Sequence, residues 1–469
     1  MSDAWIQVGI ARCLINPPLS APHAGWGAQT HLYPDGIESD LWATVLVISD
    51  RAETVVLVEV DLVILARDEA ERIRDAIARA LSIEPGNIRV AVSHNHAGPP
   101  PSSWNWMPDG REALQTYYQA LPSQVSGVAM AAKLHQRPAR LGVTWGESHV
   151  AVNRRETAPD GRTVTGVNFD GPIDPAVLVA RFDDLDGEPI AALVGYTMHP
   201  TVMGPTNRLV SPDWPGHLKR SFEQVTGATC MFLQGATGDV GPGPDGYTDD
   251  VRVVRRLGAA VGSEAARCYL ELPVPAREYR HERIWESGAP LGKWTSEENP
   301  TPKPTVAAAT TSIPLPVRPQ PSIDDATQVA RSAEAKLNDL VARDAPANEI
   351  EEATFNVKRA NMTLTRASTF GGRESFPVEL HAVRIGPLVI LGCEGEPFSG
   401  IAKEIRGGSP FEHTWFGGYN GGWFGYIPTP AEYERGGYEV DTSPYTPEAA
   451  EQLVSGAIKF LNEFKKSTG

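Results

Sequence analysis

The chain has 469 residues, 41% hydrophobic and 21% charged, long enough for a large core and globular in composition. No apolar run approaches the roughly 20 residues of a membrane span, so none is expected. The net charge of −16 argues against a general basic surface for nucleic acid or anionic membrane, and a small-molecule substrate is the partner expected.

Residues 6–14 read as extended, and Pro17-Pro18 ends that run. The stretches 41–49 and 55–65 are apolar and β-branched, with Asp50-Arg51 between them as a hairpin turn. An amphipathic helix follows, with Ile73, Ile77 and Leu81 on one face and Arg72, Arg74 and Arg79 elsewhere. Pro85-Gly86 ends it, and a strand over 88–93 comes next. Strand, helix, strand at this spacing is a βαβ unit with parallel strands. Sites in such sheets form beyond the carboxyl ends of the strands.

That end carries Ser93-His94-Asn95-His96-Ala97-Gly98-Pro99-Pro100. In an extended chain residues two apart share a face, so His94 and His96 are expected to project together. Two such imidazoles suit a metal, or one ligand beside one proton-handling group. Alone, a His-x-His pair is more often chance.

The pattern recurs. The strand 190–198 runs into His199-Pro200-Thr201, and 229–233 opens into a Gly-rich loop containing Asp239. Residues 383–385 and 388–392 flank a Gly386-Pro387 turn, and the second arm leads into Cys393-Glu394-Gly395-Glu396. Four strand ends each deliver a His, Asp or Glu beside Gly or Pro, which gathers the loops on one rim of a sheet. Helices are expected from about Asp213, capped by it with Pro215 in the first turn, and over 249–270, 323–342, 346–364 and 447–465. The proline-rich residues 288–322 read as a surface excursion within one domain spanning 1–469. Cys13, Cys230, Cys268 and Cys393 are widely separated, as for free thiols in a reducing compartment, and nothing at the N-terminus resembles a signal peptide; a cytoplasmic protein is expected.

Together with the aromatic stretch from Trp415 to Glu439, these segments resemble the neutral (non-lysosomal) ceramidase family of zinc amidases. Ser93 to Pro99 matches that family's Ser/Thr-His-x-His-Ser-Gly-Pro, with Ala97 for the serine. His199-Pro-Thr-Val-Met203 matches His-Gly-Thr-Ser-Met, and Thr206 to Asp213 matches Thr-Asn-x-Leu-Ile-Ser-Gly-Asp. Gly238-Asp-Val-Gly-Pro242 matches Gly-Asp-Val-Ser-Pro, Glu394-Gly-Glu396 matches Pro-Gly-Glu, and Tyr426, Tyr433 and Tyr438 keep the spacing of the last motif.

The expected fold is α/β, with a mixed, mainly parallel sheet flanked by helices and a metal site at the strand ends. The resemblance implies one zinc per chain on His94, His199, Glu396 and Tyr426, with His96 as proton carrier and Arg154 and Tyr438 holding substrate oxygens. Two imidazoles and a carboxylate are a common catalytic zinc set, and zinc lowers the pKa of water towards 7. The implied activity is amide hydrolysis by metal-activated water; ester or lactone hydrolysis, or an inactive binding homologue, are the alternatives. Glycine at 241 replaces the family serine, which removes a hydroxyl and argues against long-chain ceramide and against an acyl-enzyme. The family's C-terminal immunoglobulin-like domain is not expected after the last helix. Trp104, Trp106, Trp415 and Trp423 stand evenly between packing and lining the substrate, Arg154 and Arg155 evenly between a site and a solvated pair, and Asp239 is expected to bond within its own loop.

Overall fold

The computed structural model describes residues 6–23, 25–29, 31–102, 109–299 and 304–469; Trp104 and Trp106 lie outside these. The first hairpin pairs Trp42–Ser49 with Thr54–Val60 antiparallel, closed by the Asp50 carboxylate, which accepts from the Ala52 and Glu53 amides at 2.7 and 2.8 Å. The helix Arg67–Leu81 then crosses over to Ile88–Val92, which runs parallel to Thr54–Val60 with Val60 beside Val92.

Eight strands form the larger sheet, in the order Thr229–Gln234, Pro189–Tyr196, Ala176–Asp184, Arg137–Glu147, Ile6–Leu14, Trp42–Ser49, Thr54–Val60, Ile88–Val92. Only the outermost pair at each edge is parallel, and the five pairs between are antiparallel. The expectation of a mainly parallel sheet is therefore corrected. Its physical source is plain: Pro189–Tyr196 is buried on both faces, so it reads as the continuous apolar run of a parallel strand.

A second sheet pairs Val306–Pro316, Ser375–Ile385, Leu388–Cys393 and His413–Gly417, the last pair parallel. The expected proline-rich excursion thus contains an eleven-residue strand. Pro314 and Pro316 are tolerated because this strand is the edge of its sheet, where a missing N–H costs no ladder bond. The exposed part is a projecting hairpin, Arg277–Trp285 with Leu291–Glu298, whose base is closed by the Asn299 amide on the Ala276 carbonyl at 2.9 Å.

The two sheets pack face to face through Leu46, Ile48, Leu57, Phe182 and Leu193 on one side and Val383, Ile390 and Trp415 on the other. Full burial of each such side chain contributes roughly 1.5–3 kcal/mol before chain entropy is counted. Helices cover the outer faces. Arg67–Leu81 and Arg111–Leu134 cover one half of the large sheet, Asp213–Thr226 and Val251–Glu271 the other. Ser399–Gly408 and Ala449–Thr468 cover the second sheet. The helix 111–134 has no counterpart in the sequence reading; Pro122 interrupts its pattern. Asp213 opens its helix at φ 55°, and its carboxylate accepts from the Trp214 and Met203 amides at 2.6 and 2.9 Å. No helix among the described residues is long and apolar enough to cross a membrane.

The large sheet curls until its ends meet. Glu59, on Thr54–Val60, accepts from the backbone amide of Phe232 on the opposite edge strand at 3.0 Å. Lys219 bridges Glu59 at 3.0 Å and Asp61 at 2.9 Å, all three buried. Gln234 reaches from the same edge strand to the Ser93 carbonyl at 3.1 Å. This closure brings the segment after Val92 against the segment after Tyr196.

Candidate metal and active site

The strand Ile88–Val92 ends before the first histidine. His94 takes a left-handed backbone, φ 64°, a region in which histidine is enriched over most residues. The two imidazoles therefore meet through a turn, and the expected alternation along an extended chain does not apply. Asn95 ties the turn to the Asp61 carbonyl at 2.8 Å and accepts from the Ala97 amide at 3.0 Å.

Each of three imidazoles donates its Nδ1–H to a backbone carbonyl: His94 to Val63 at 2.6 Å, His96 to Gly25 at 2.9 Å, His199 to Thr237 at 3.2 Å. A carbonyl only accepts, so Nδ1 carries the proton and Nε2 is left as a bare lone pair. The three Nε2 atoms face one another: His94–His199 at 3.1 Å, His96–His199 at 3.2 Å and His94–His96 at 3.3 Å. Burial holds the rings neutral, with His96 pushed down to about 4 and His94 and His199 well below the usual imidazole value. Three lone pairs turned together without a proton between them repel unless a cation sits among them. Backbone-fixed tautomers of this kind are the usual second layer around a metal.

Glu396 lies beside them, its Oε2 3.7 Å from His94 Nε2 and 4.0 Å from His199 Nε2. Desolvation raises its pKa to about 7, opposed by Arg154 and by donors from Trp423, Tyr426 and Tyr419. Trp423 Nε1 donates to Oε1 at 2.7 Å and the Tyr419 hydroxyl to Oε2 at 3.3 Å. Tyr419 also stacks on the His94 ring at 3.9 Å and meets the Thr237 hydroxyl at 2.6 Å. Two short parallel strands set Glu396 directly against Tyr426. Glu394, two residues earlier, turns away and binds Arg67 at 2.6 and 2.7 Å and the Glu379 amide at 2.8 Å.

Arg154 and Arg155 are both buried, so the solvated alternative is excluded. Arg154 sits 2.8 Å from Glu439 and donates to the Tyr426 hydroxyl at 3.1 Å. Arg155 points away from the histidines, to Glu432 at 2.7 Å and to the other oxygen of Glu439 at 2.6 Å. Tyr438 is half exposed, its ring edge-on to Tyr426 at 5.8 Å. The Asp239 carboxylate bonds across to the Ser399 amide at 2.6 Å and hydroxyl at 3.0 Å, joining the two sheets rather than closing its own loop. Trp415 is buried between the sheets, while Trp423 positions Glu396.

Sequence reasoning missed Tyr419, Thr237, Glu439 and Trp26, whose ring lies 5.2 Å from that of His96. Tyr419 and Glu439 at least stood inside the stretch that carried the resemblance. Thr237 and Trp26 gave no local signal.

Residues 17–249 match the family model described as neutral/alkaline non-lysosomal ceramidase, N-terminal. The chain is 24% identical to the neutral ceramidase of Pseudomonas aeruginosa over 91% of its own length and 68% of that protein. Neutral ceramidase B of Dictyostelium discoideum is 29% identical over 34% of this chain and 24% of its own. Among solved structures, one described as ceramidase complexed with C2 aligns with TM-score 0.68 at 17% identity over 99% of this chain and 76% of that one. The crystal structure of the Pseudomonas aeruginosa enzyme aligns with TM-score 0.67 at 17% identity, over 99% of this chain and 75% of the other. Residues 17–249 thus match the neutral/alkaline non-lysosomal ceramidase family, and the chain as a whole is a relative of the neutral ceramidases.

Proposed function

We propose that this chain is a zinc-dependent hydrolase that cleaves an amide bond, with a substrate other than long-chain ceramide. The observation that carries the reading is the set of three bare Nε2 atoms beside Glu396, on a chain whose relatives are ceramidases. These groups fit a zinc ion: neutral imidazoles and a carboxylate are its usual ligands, and the ring tautomers are already set. His94, His199 and Glu396 would hold it, with Tyr426 as a fourth ligand. When bound, zinc supplies a Lewis acid that polarises the scissile carbonyl and acidifies water.

The remaining groups act directly. Arg154, fixed by Glu439, holds the Tyr426 hydroxyl and presents positive charge where a carbonyl oxygen becomes negative. Tyr438, at the mouth, donates to a substrate oxygen. His96 keeps its Nδ1 proton on Gly25, so its Nε2 is free to take a proton from water and pass it to the leaving amine. Glycine at 241 offers no nucleophile, which favours direct attack by water over an acyl-enzyme.

Metal analysis of the purified protein, followed by a panel of amides, esters and lactones, tests the reading. About one zinc per chain is expected, with turnover of amides that a chelator abolishes. Mass spectrometry of protein quenched during turnover should find no acyl adduct. Turnover of esters or lactones alone would move the reading to that bond, and metal without turnover would leave a binding homologue.

A further inference from the structure

Gly241 lies on the short strand Val240–Pro242, opposite Val152 and two residues from the strand position of Arg154. A Cβ added there would stand 3.0 Å from the Tyr247 hydroxyl and 3.3 Å from the Arg154 Cβ. Tyr247 thus takes the space that a side chain at 241 would enter. Its hydroxyl is buried and makes no well-formed hydrogen bond among the described residues; it lies beside the Thr201 hydroxyl, which itself turns to the His199 carbonyl at 3.5 Å. Leaving a buried hydroxyl unpaired is destabilising. Tyr247 also holds a left-handed backbone, φ 56°, unfavourable for an aromatic residue. Neighbouring bonds enforce it: the Thr248 amide on the Val202 carbonyl and the Gly204 amide on the Thr248 carbonyl, each at 2.9 Å.

The ring meets Trp26 edge-on at 5.9 Å, and Trp26 in turn lies against His96. The Trp26 indole N–H is likewise buried and unpartnered among the described residues. Two orphaned donors on two aromatic walls therefore sit together beside the histidines. Burial raises the Tyr247 pKa above that of a free phenol, so the hydroxyl keeps its proton and serves as a donor, not a nucleophile.

We propose that Tyr247 binds the substrate: its hydroxyl donates a hydrogen bond to an oxygen of the bound amide, and with Trp26 it narrows the pocket beside His96. The hydroxyl missing from residue 241 is delivered to the same place from a different residue. This rests on the amide-hydrolase reading, and it adds the group that selects the amide.

The test is a double-mutant cycle on the zinc-loaded full chain, with short- and long-chain N-acyl ethanolamides as probes. Tyr247→Phe should lower kcat/KM about ten- to a hundredfold. Zinc content should not change, and the melting temperature should hold or rise, because an unpaired buried hydroxyl is removed. Gly241→Ser alone should lower both melting temperature and kcat/KM, since its Cβ meets the phenol oxygen. In the Tyr247→Phe background Gly241→Ser should cost little stability and recover part of the lost kcat/KM. Unchanged kinetics in Tyr247→Phe, or strictly additive effects, overturn the proposal. If the wild type cleaves none of the probes, the amide reading fails on its own. The melting cycle still decides the pairing of Gly241 with Tyr247, and isothermal titration of the same probes into wild type and Tyr247→Phe decides whether the hydroxyl binds them. Equal affinities overturn it.

Discussion

Two buried polar clusters lie close together in this molecule, and they are built on opposite plans. In the first, Lys219 donates to Glu59 and to both oxygens of Asp61, while the second oxygen of Glu59 takes the Phe232 amide and Asp61 takes the Trp42 amide. Burial alone would strip the Lys219 ammonium of its proton, and the two carboxylates keep it charged. Its charges and donors close on one another, and the cluster fastens the two ends of the large sheet. In the second cluster, His94, His96 and His199 have every proton turned outward to carbonyls and every lone pair turned inward. Both clusters are largely hidden from water, and of their six side chains only His96 is partly exposed. A buried polar group that is satisfied holds the fold together, whereas a set of like groups aimed at one point is arranged for something brought from outside.

Breaking the second cluster should give the largest effect. His94→Ala and His199→Ala are expected to abolish metal binding and lower hydrolysis on the order of a thousandfold or more, with the fold intact by circular dichroism. Full metal occupancy in both variants would reject the site. Breaking the first should show in stability instead. Lys219→Met leaves two carboxylates buried without a counter-charge and should cost about 3–5 kcal/mol in denaturant unfolding. A loss below about 1 kcal/mol would mean that the sheet closes without this bridge.

The contrast sharpens at Glu394 and Glu396. Glu396→Gln should weaken metal binding about a hundredfold by competition titration. Glu394→Gln should leave it unchanged and lower stability by about 1.5–3 kcal/mol through the loss of the charged bonds from Arg67. Equal effects on the metal would show that the wrong carboxylate was assigned. The smallest effect is expected from Tyr419→Phe, which keeps the stacking on His94 and removes the hydroxyl between Thr237 and Glu396. About a tenfold loss of metal affinity is expected, and no change would reduce Tyr419 to packing.

Much of this contrast was legible in the sequence, and for uneven reasons. His94, His199 and Glu396 stand just past strand ends, where apolar runs give way to Gly and Pro, so local pattern found them. Choosing Glu396 over Glu394 needed the family motif, because both sit in the same turn and differ only in which way the chain faces. The antiparallel centre of the sheet was misread because strands buried on both faces carry no alternation. The curl that brings the two edges together was invisible, since Lys219 lies about 160 residues from Glu59 and Asp61 and no local pattern links them. Tyr247 escaped for a related reason: the motif marked a missing hydroxyl at 241, and only the folded chain reveals another in its place.

The projecting hairpin between Ala276 and Asn299 has a consequence of a different kind. Its two ends are joined to each other by a backbone bond, so the chain departs and returns at one point on the surface. Beyond that base, the ion pair from Arg140 to Glu298 at 3.2 Å ties it to the body. The rest of the molecule has no means of registering how long the excursion is. Residues 277–298 can be shortened, extended or exchanged for a foreign segment without moving a strand in either sheet. For an engineer this is the natural point at which to insert a tag or a second domain, and for a lineage it is the part of the gene free to vary in length.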